Sequence, residues 1–292
     1  MKTTLLLTKR NLTVFLRDKR AVFFAMLSPI ILFCIYTFLI GGQVEDQMKA
    51  SLPGVSSGNI GWFVNSFLLS SLITITAMTS GASPLARYVE DRSLGRFKDF
   101  MVSPVKRWQL VASYMLTSFT VSFAFTLLVM IAGLTYIASH GHSNMNFGGI
   151  IVLLLRIILL CLTYSAMAAL FASLVNSNQA FGGFNAIWTT ALGFLSGLYI
   201  PLDELSDSTK NFLSSLPFAQ STLLVKDQLL EKPLAAISSG NSEFLSSLKE
   251  SVAFDLTVNG HTVQLNMVIL YLIAVFVVFI VLGVIKMKNL IR

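Results

Sequence analysis

A run of 46 residues without a charged side chain, 157–202, constrains this chain more than any other feature. A helix needs about 20 apolar residues to cross the hydrocarbon core of a bilayer, so the run is too long for one span. The polar tetrapeptide Asn176-Ser177-Asn178-Gln179 interrupts it and is a natural turn. The run therefore predicts two consecutive membrane-spanning segments joined by a short connection.

The composition of the whole chain agrees with a membrane location. Of the 292 residues, 54% are hydrophobic and only 12% are charged, whereas ordinary soluble domains carry about 25% charged residues. So little charge cannot cover the surface of a soluble globule of this size, and disordered chains are far less hydrophobic. Soluble enzymes and disordered proteins are therefore excluded.

Charge-free stretches predict six spans in one transmembrane domain that covers residues 1–292. The spans are placed at 21–44, within 50–86, at 108–139, from Phe147 to the turn at 176–179, at about 180–198 and at about 265–285. The predicted fold class is an all-α polytopic membrane protein with six transmembrane helices.

Basic residues orient these spans. The N-terminus, the loop 87–108 and the C-terminus together hold 15 of the 21 Lys and Arg residues but only four of the 14 acids. Cytoplasmic segments of membrane proteins are enriched in Lys and Arg. We therefore expect a multi-pass protein of the plasma or inner membrane, with both termini and the loop 87–108 in the cytoplasm.

The first 20 residues predict an amphipathic helix at the membrane interface. Leucines alternate there with basic residues, at Leu5, Lys9, Arg10, Leu12, Leu16 and Arg17. Such a helix could act only as a cytoplasmic anchor that fixes topology, or it could dock a partner. Both roles stay open at this point.

The sequence lacks motifs by which a transporter would power itself. No Gly-Lys dipeptide occurs, which excludes the usual phosphate-binding loop. No Asp or Glu lies in a proposed span, which argues against an ion-coupled carrier. The chain is therefore expected to be no enzyme on its own and to bind no cofactor or metal.

The loop 87–108 is predicted to contain a short helix. Glu90 and Asp91 suit its positive N-terminus, and Pro104 disfavours helix at the residue before it. The apolar residues that would form one stripe on this helix are Leu94, Phe97, Phe100 and Met101. The helix could lie on the membrane surface, or its stripe could insert into a soluble partner.

Two spacing patterns occur in register with the predicted spans. The loop holds an acid, a glycine five positions later and a proline nine positions after that, at Glu90, Gly95 and Pro104. After the fifth span come a Ser-Gly pair, a proline four positions later and another 16 positions on, at Ser196-Gly197, Pro201 and Pro217. With six spans and interior termini, the chain resembles the ABC-2 type permease family, the membrane subunits of ATP-binding-cassette exporters, over nearly its whole length.

The resemblance implies a mechanism and its partners. Two permease subunits, as two copies or with a paralogue, each dock one separate cytoplasmic ATPase that binds ATP and Mg²⁺, through the coupling helix at 90–102. Closure of the ATPases moves these helices and opens the path between the subunits outward. The coupling residues would be Glu90, Arg92, Leu94, Gly95, Phe97, Phe100, Met101 and Pro104.

Apolar, Phe-rich spans without a polar cluster favour an amphiphilic substrate, such as a drug, an antimicrobial peptide or a lipid. Roles in multidrug efflux and antibiotic resistance would follow, and no nucleic acid is expected as a partner. Two other classes of function stay open. One is a non-transporting membrane anchor or sensor that recruits a cytoplasmic partner, and the other is an ion-coupled carrier.

The outer segment 199–264 is long for a loop. Its first part resembles the family's paired re-entrant helices, and Pro217 is expected to stop the first of them. The outer-gate residues would be Gly197, Pro201, Leu205, Phe212 and Pro217. The rest, 218–264, predicts a small external cap with a helix near 241–252 and a hairpin around Asn259-Gly260. The cap could gate the exit, hold a partner or act as a structural lid.

Arg156 is the only charge inside a predicted span. No acid in a span is predicted to pair with it. It could therefore reach the interface, bind a lipid phosphate, or line the translocation path and attract an anionic head group.

Overall fold

The computed structural model describes residues 2–35, 41–51, 54–102, 105–143, 145–196, 205–238, 257–258 and 261–290. The elements, in chain order, are α1 (Lys2–Arg17), α2 (Lys19–Ile35), α3 (Gly41–Ser51), α4 (Ser57–Thr79), a 3-10 turn (Ser83–Leu85), α5 (Ala86–Ser93), α6 (Phe97–Met101), α7 (Arg107–Ser139), α8 (Phe147–Leu174), α9 (Asn178–Leu195), α10 (Asp207–Ser215), α11 (Pro217–Ser238), β1 (Thr257–Val258), β2 (His261–Thr262) and α12 (Leu265–Leu290). The predicted all-α class is confirmed.

Four helical segments of the described chain are long and apolar enough to cross a membrane. They are Ser57–Ser93, Arg107–Ser139, Phe147–Leu174 and Leu265–Met287. They coincide with the second, third, fourth and sixth predicted spans, which confirms a multi-pass membrane protein. Helices α2 and α9 occupy the places of the first and fifth spans. Helix α2 is followed by residues 36–40, which lie outside the described part of the chain, and α9 is not among the four segments, so the six-span count stays a prediction.

Helix α4 lies at the centre of the bundle, in contact with α7, α8, α9 and α11. Every residue of 68–79 is buried, including several with hydroxyl groups. These hydroxyls bond one turn back along the helix: Thr74 donates to the Ser70 carbonyl at 2.7 Å and Thr76 to the Leu72 carbonyl at 2.6 Å. Because the backbone accepts these protons, a helix rich in Ser and Thr can be buried among apolar helices.

The basic segments gather at one end of the bundle, called here the basic end. Arg10 of α1 lies 3.5 Å from Asp91 of α5. Arg92 of α5 donates to the carbonyl of Ser173, near the end of α8, at 2.9 Å. Gly283 of α12 lies against the last turns of α8. The orientation predicted from charge places this end in the cytoplasm.

Other contacts define the opposite, distal end. The Lys232 ammonium of α11 lies 3.1 Å from the Asn146 amide oxygen, just before α8. The ring of Trp62, near the start of α4, stacks on His142 with 4.9 Å between centroids. The starts of α4 and α8 and the second half of α11 therefore lie together at the distal end.

Helix α1 packs on α7. Its buried residues are Thr4, Thr8, Asn11 and Phe15. Leu5, Leu6 and Leu16 are exposed on the other side. This arrangement suits a helix whose leucines face lipid, although its interfacial position stays a prediction.

The long charge-free run breaks at its polar tetrapeptide. Helix α8 ends at Leu174 and α9 begins at Asn178. The Ser177 hydroxyl caps α9 by accepting a hydrogen bond from the Ala180 amide at 3.2 Å. The predicted turn is confirmed.

Helix α11 is the largest departure from the predicted architecture. Residues 218–238, assigned from the sequence to the external cap, instead form a buried helix that packs on α4, α8 and α12. The cap prediction is wrong for these residues. The prediction failed because charged residues and a proline lower the hydropathy of the segment. These residues are Lys226, Asp227, Glu231, Lys232 and Pro233.

Strands β1 and β2 pair antiparallel, with Val258 opposite His261 and Thr257 opposite Thr262. The two residues between the strands, on which the hairpin prediction was centred, lie outside the described part of the chain. The helix predicted near 241–252 lies outside the described residues.

Candidate functional site

The segment 86–102 contains two short helices rather than one. Helix α5 ends at Ser93, and Gly95 has a φ of +69°, the left-handed conformation in which glycine commonly ends helices. Across this turn the Arg96 amide donates to the Asp91 carbonyl at 2.9 Å. The prediction of a single helix is wrong because Gly95 terminates it, and a second helix, α6, begins at Phe97.

The break separates the residues predicted to share an apolar stripe. Leu94 is 59% exposed, whereas Phe97 is only 4% exposed. The Phe97 ring lies 5.5 Å from that of Tyr88 and 6.3 Å from that of Tyr114, between α5 and α7. Phe97 thus belongs to the interior, and the predicted stripe is wrong. The Met101 side chain and Pro104 lie outside the described part of the chain.

Asp91 is fully buried and is surrounded by hydrogen-bond donors. Its carboxylate accepts from the Tyr114 hydroxyl at 2.7 Å and from Arg96 at 3.0 Å. Arg87 and Arg10 lie 3.3 and 3.5 Å away. These five residues are called the Asp91 cluster. A buried carboxylate is tolerated only with several such donors, and the hydrogen bond to Asp91 in turn raises the pKa of Arg96.

Glu90 and Phe100 lie at the edge of the Asp91 cluster. The Glu90 carboxylate, partly exposed, accepts from Arg87 at 2.8 Å and from Arg96 at 3.3 Å. The half-buried ring of Phe100 lies beneath the Arg10 guanidinium, 5.2 Å away. Glu90 therefore shares the arginines of Asp91, and Phe100 helps to hold α6 against α1.

Arg92 attaches the same segment to α8. Its guanidinium donates to the carbonyls of Ser173 at 2.9 Å and Val175 at 3.3 Å, where α8 ends. Arginine commonly satisfies the last carbonyls of a helix in this way. Through Arg92 and the Asp91 cluster, a displacement of α5 would pull on α1, α7 and α8 together.

The face of the segment 86–102 that points away from the bundle is small and carries both apolar and charged side chains. Its exposed residues, called the loop patch, are Ser93, Leu94, Gly95, Lys98, Asp99 and Val102. Val102 is 91% exposed. Exposed apolar side chains beside charged ones suit a partner that offers an apolar pocket with a polar rim.

Helices α10 and α11 meet at a tight turn. Helix α10 ends at Ser215 and Pro217 is the first residue of α11, a position that proline favours. Pro217 therefore starts a helix as well as ending the one before it. Phe212 is exposed and Leu205 is partly buried, whereas Gly197 and Pro201 lie outside the described residues.

The turn between α10 and α11 lies deep in the bundle. The Pro217 carbonyl accepts from the Tyr164 hydroxyl at 3.1 Å, about 25 Å along α8 from its distal end at 1.5 Å per residue. From there α11 returns to the distal end, where Lys232 meets Asn146. A helix that starts inside the bundle and ends at its distal surface has the course expected of the second helix of a re-entrant pair.

Arg156 has an acidic partner, so the prediction that it lacks one is wrong. Its guanidinium lies 2.8 Å from the Asp227 carboxylate and 2.6 Å from the Leu224 carbonyl, both on α11. The side chains of Arg156 and Asp227 are 14% and 27% exposed. Because Asp227 enters the bundle, the absence of acids from the predicted spans no longer argues against an ion-coupled carrier.

Comparison with known proteins agrees with this arrangement. A family model described as ABC-2 family transporter protein matches residues 51–285. This range includes three of the four long apolar segments, nearly all of the fourth, the loop 86–102 and α11. A comparison with curated proteins finds no match. Because the family model covers most of the chain, the assignment does not depend on one motif. The chain therefore belongs to the ABC-2 transporter family.

Proposed function

We propose that the chain is the permease subunit of an ATP-binding-cassette exporter whose ATPase is a separate chain. The observation that carries the proposal is the construction of the segment 86–102. It presents the loop patch outward, while Arg92 and the Asp91 cluster attach it to α1, α7 and α8. A loop attached in this way passes a push from a docked partner to three helices.

The complex would contain two permeases, identical or paralogous, in the plasma or inner membrane. Each would hold one cytoplasmic ATPase at its basic end and keep both termini in the cytoplasm. Helices α2 and α9 would supply the first and fifth of six spans. The concentration of Lys and Arg at the basic end supports this orientation.

Within the segment 86–102, called here the coupling segment, two sets of residues would have different roles. Leu94, Lys98 and Val102 are exposed and would contact the ATPase. Phe97 and Asp91 are buried and would transmit its movement. Replacing a residue of the first set should detach the ATPase, whereas replacing one of the second should leave it docked but disconnected from the bundle.

The re-entrant pair α10–α11 would close the exit at the distal end. The ion pair between Arg156 and Asp227 links α11 to α8, so these two helices would move as a unit when the path opens. In this account Arg156 positions α11 rather than attracting an anionic head group. The substrate would be amphiphilic, such as a drug, an antimicrobial peptide or a lipid, since the spans are apolar and rich in Phe.

Purification of the tagged full chain from its native membrane tests the proposal. A chain with a phosphate-binding loop should co-purify in equal amount, and amphiphiles should stimulate its ATP hydrolysis. The double variant Leu94→Asp, Val102→Asp should lose this chain, whereas Ser143→Asp at the distal end should retain it. A partner without an ATPase domain would overturn the proposal and favour a membrane anchor or sensor.

A further inference from the structure

Two cavities lie end to end between α2, α3, α4 and α7, away from the Asp91 cluster. The first has a volume of about 320 Å³ and is lined mainly by apolar side chains of α2, α4 and α7, among them Met26, Ile30, Phe33, Leu72 and Val129. The second, of about 450 Å³, includes Glu45, Trp62, His140 and His142. Both are lined by Asn65, Leu68, Tyr136 and Ile137, so they share a wall.

The pair of cavities has the dimensions of a site for a small amphiphile. Ligand pockets usually measure about 300 to 1,000 Å³. The first cavity, called here the apolar chamber, lies along the membrane-spanning parts of α4 and α7. The second cavity, called here the mixed chamber, lies where these helices reach the distal end. An alkyl tail would fit the first chamber while a polar head occupied the second.

The mixed chamber offers a carboxylate that reaches across to α4. The Glu45 carboxylate lies 3.6 Å from the position that a Cβ on Gly61 would occupy, an ordinary contact distance, so it lies against α4. Glu45 also pairs with Lys49 at 2.8 Å, but both side chains are about one-third exposed. Such a surface pair is weak, and a bound cation would compete with Lys49 for the carboxylate.

Aromatic rings complete the chamber. Trp62 stacks on His142 with 4.9 Å between centroids, and Tyr136 contacts His140 at 4.6 Å. Glu45, Trp62 and Tyr136 thus line one cavity. A carboxylate together with Trp and Tyr rings is a combination that recognises organic cations, since the ring faces attract positive charge.

We propose that the two cavities bind a cationic amphiphile, with its alkyl tail between α2, α4 and α7 and its cationic head beside Glu45, Trp62 and Tyr136. The site lies within one subunit, apart from α10–α11 and from the coupling segment. It does not depend on an ATPase partner and goes beyond the proposed export function.

The test uses the full chain in phosphatidylcholine nanodiscs, without any ATPase. The probes are dodecyltrimethylammonium, dodecyl maltoside and dodecyl sulfate, which share a tail and differ in head charge. The signal is the fluorescence of Trp62 in a variant with Trp108→Phe and Trp188→Phe, corrected with empty nanodiscs. We expect saturable binding that is at least about tenfold tighter for the cationic probe. Equal binding of the three probes, or binding without saturation, would overturn the proposal.

Matched variants show whether binding depends on Glu45 in the mixed chamber or only on the overall charge of the protein. Glu45→Gln should weaken binding of dodecyltrimethylammonium about tenfold. Asp46→Asn is the control, since Asp46 also pairs with Lys49, at 3.7 Å. It should leave binding of this probe unchanged, because Asp46 is 81% exposed. If both variants weakened binding equally, Glu45 would not be part of a site.

A second pair of variants tests whether the alkyl tail occupies the apolar chamber. Ala132 lines it, so Ala132→Phe should weaken binding of all three probes, whereas Ala138→Phe, at another exposed alanine of α7, should have no effect. Equal effects of the two would contradict the tail placement. These measurements use the permease chain alone. A negative result would therefore not contradict the proposed ATPase partner, and the absence of an ATPase partner would not change the binding expected here.

Discussion

Asp91 and Asp227 are carboxylates that hold helices together in different ways. Asp91, at the basic end, is approached by three arginines and a tyrosine from α1, α5, α7 and the turn after α5. Asp227, inside the bundle, pairs with Arg156 alone among the described charged side chains. The arginines around Asp91 are partly exposed to solvent, whereas Arg156 lies between helices.

The difference indicates what each region can do. When one donor leaves Asp91, the others remain and the freed arginine can reach water, so the Asp91 cluster can change shape while staying intact. When either member leaves the Arg156–Asp227 pair, an uncompensated charge stays in the bundle. The first arrangement suits a moving connection, and the second suits a fixed attachment of α11 to α8.

The largest expected effect is on the fixed attachment. Asp227→Ala should lower the free energy of unfolding by about 3 to 5 kcal/mol, because Arg156 would keep its charge without a carboxylate. Reversible unfolding in detergent measures this change. The double variant Arg156→Met, Asp227→Leu should recover most of the loss, since it removes both charges. A harmless Asp227→Ala would show that the pair contributes nothing.

A smaller loss of stability is expected at the Asp91 cluster. Asp91→Asn should cost about 1 to 3 kcal/mol, because the amide still accepts hydrogen bonds and the arginines can turn to water. The same variant should retain the ATPase but lose stimulation of ATP hydrolysis by amphiphiles. If Asp91→Asn destabilised the protein more than Asp227→Ala, the contrast between the two regions would be wrong.

Gly95→Ala sharpens the comparison by changing only the backbone next to the Asp91 cluster. Its cost should be about 1 kcal/mol, since a Cβ is unfavourable at a φ of +69° even where no atom lies within 4 Å. Gly148→Ala is the control, because that helical glycine is equally open and has no positive φ. It should be neutral or slightly stabilising, and similar destabilisation by both variants would refute the conformational explanation.

The smallest effect on stability is expected on the loop patch. Leu94→Ala should change the free energy of unfolding by less than about 0.5 kcal/mol and yet weaken capture of the ATPase. Leu174→Ala is the matched control, since Leu174 is 57% exposed at the same end of the molecule. Equal capture by the two variants would remove Leu94 from the docking surface.

Local sequence patterns were sufficient for part of the fold. The second, third, fourth and sixth spans and the break at 176–179 follow from charge-free length and from one polar tetrapeptide. Helix α11 was missed because its charges lower its hydropathy, although Leu223, Leu230, Leu234 and Ile237 recur at helical spacing. That periodicity was the signal that could have placed it, and with it Asp227, in the bundle.

The coupling segment was predicted only in outline. Its location follows from the spacing of Glu90, Gly95 and Pro104, but after the turn at Gly95 the Phe97 ring is buried, whereas Leu94 stays exposed. Asp91 was interpreted only as a helix-terminal acid, because Arg10 and Tyr114 approach it from distant segments. Such contacts depend on how helices pack, which one segment's periodicity does not specify.

Cysteine cross-linking tests the central claim, that the loop patch docks an ATPase, most directly. The chain has two cysteines, Cys34 and Cys161, which would be replaced by serine. In native membranes, Leu94→Cys in this background should cross-link to the ATPase chain, and Ser143→Cys at the distal end should not. Cross-linking from Ser143→Cys alone, or from neither position while the complex stays intact, would contradict the account.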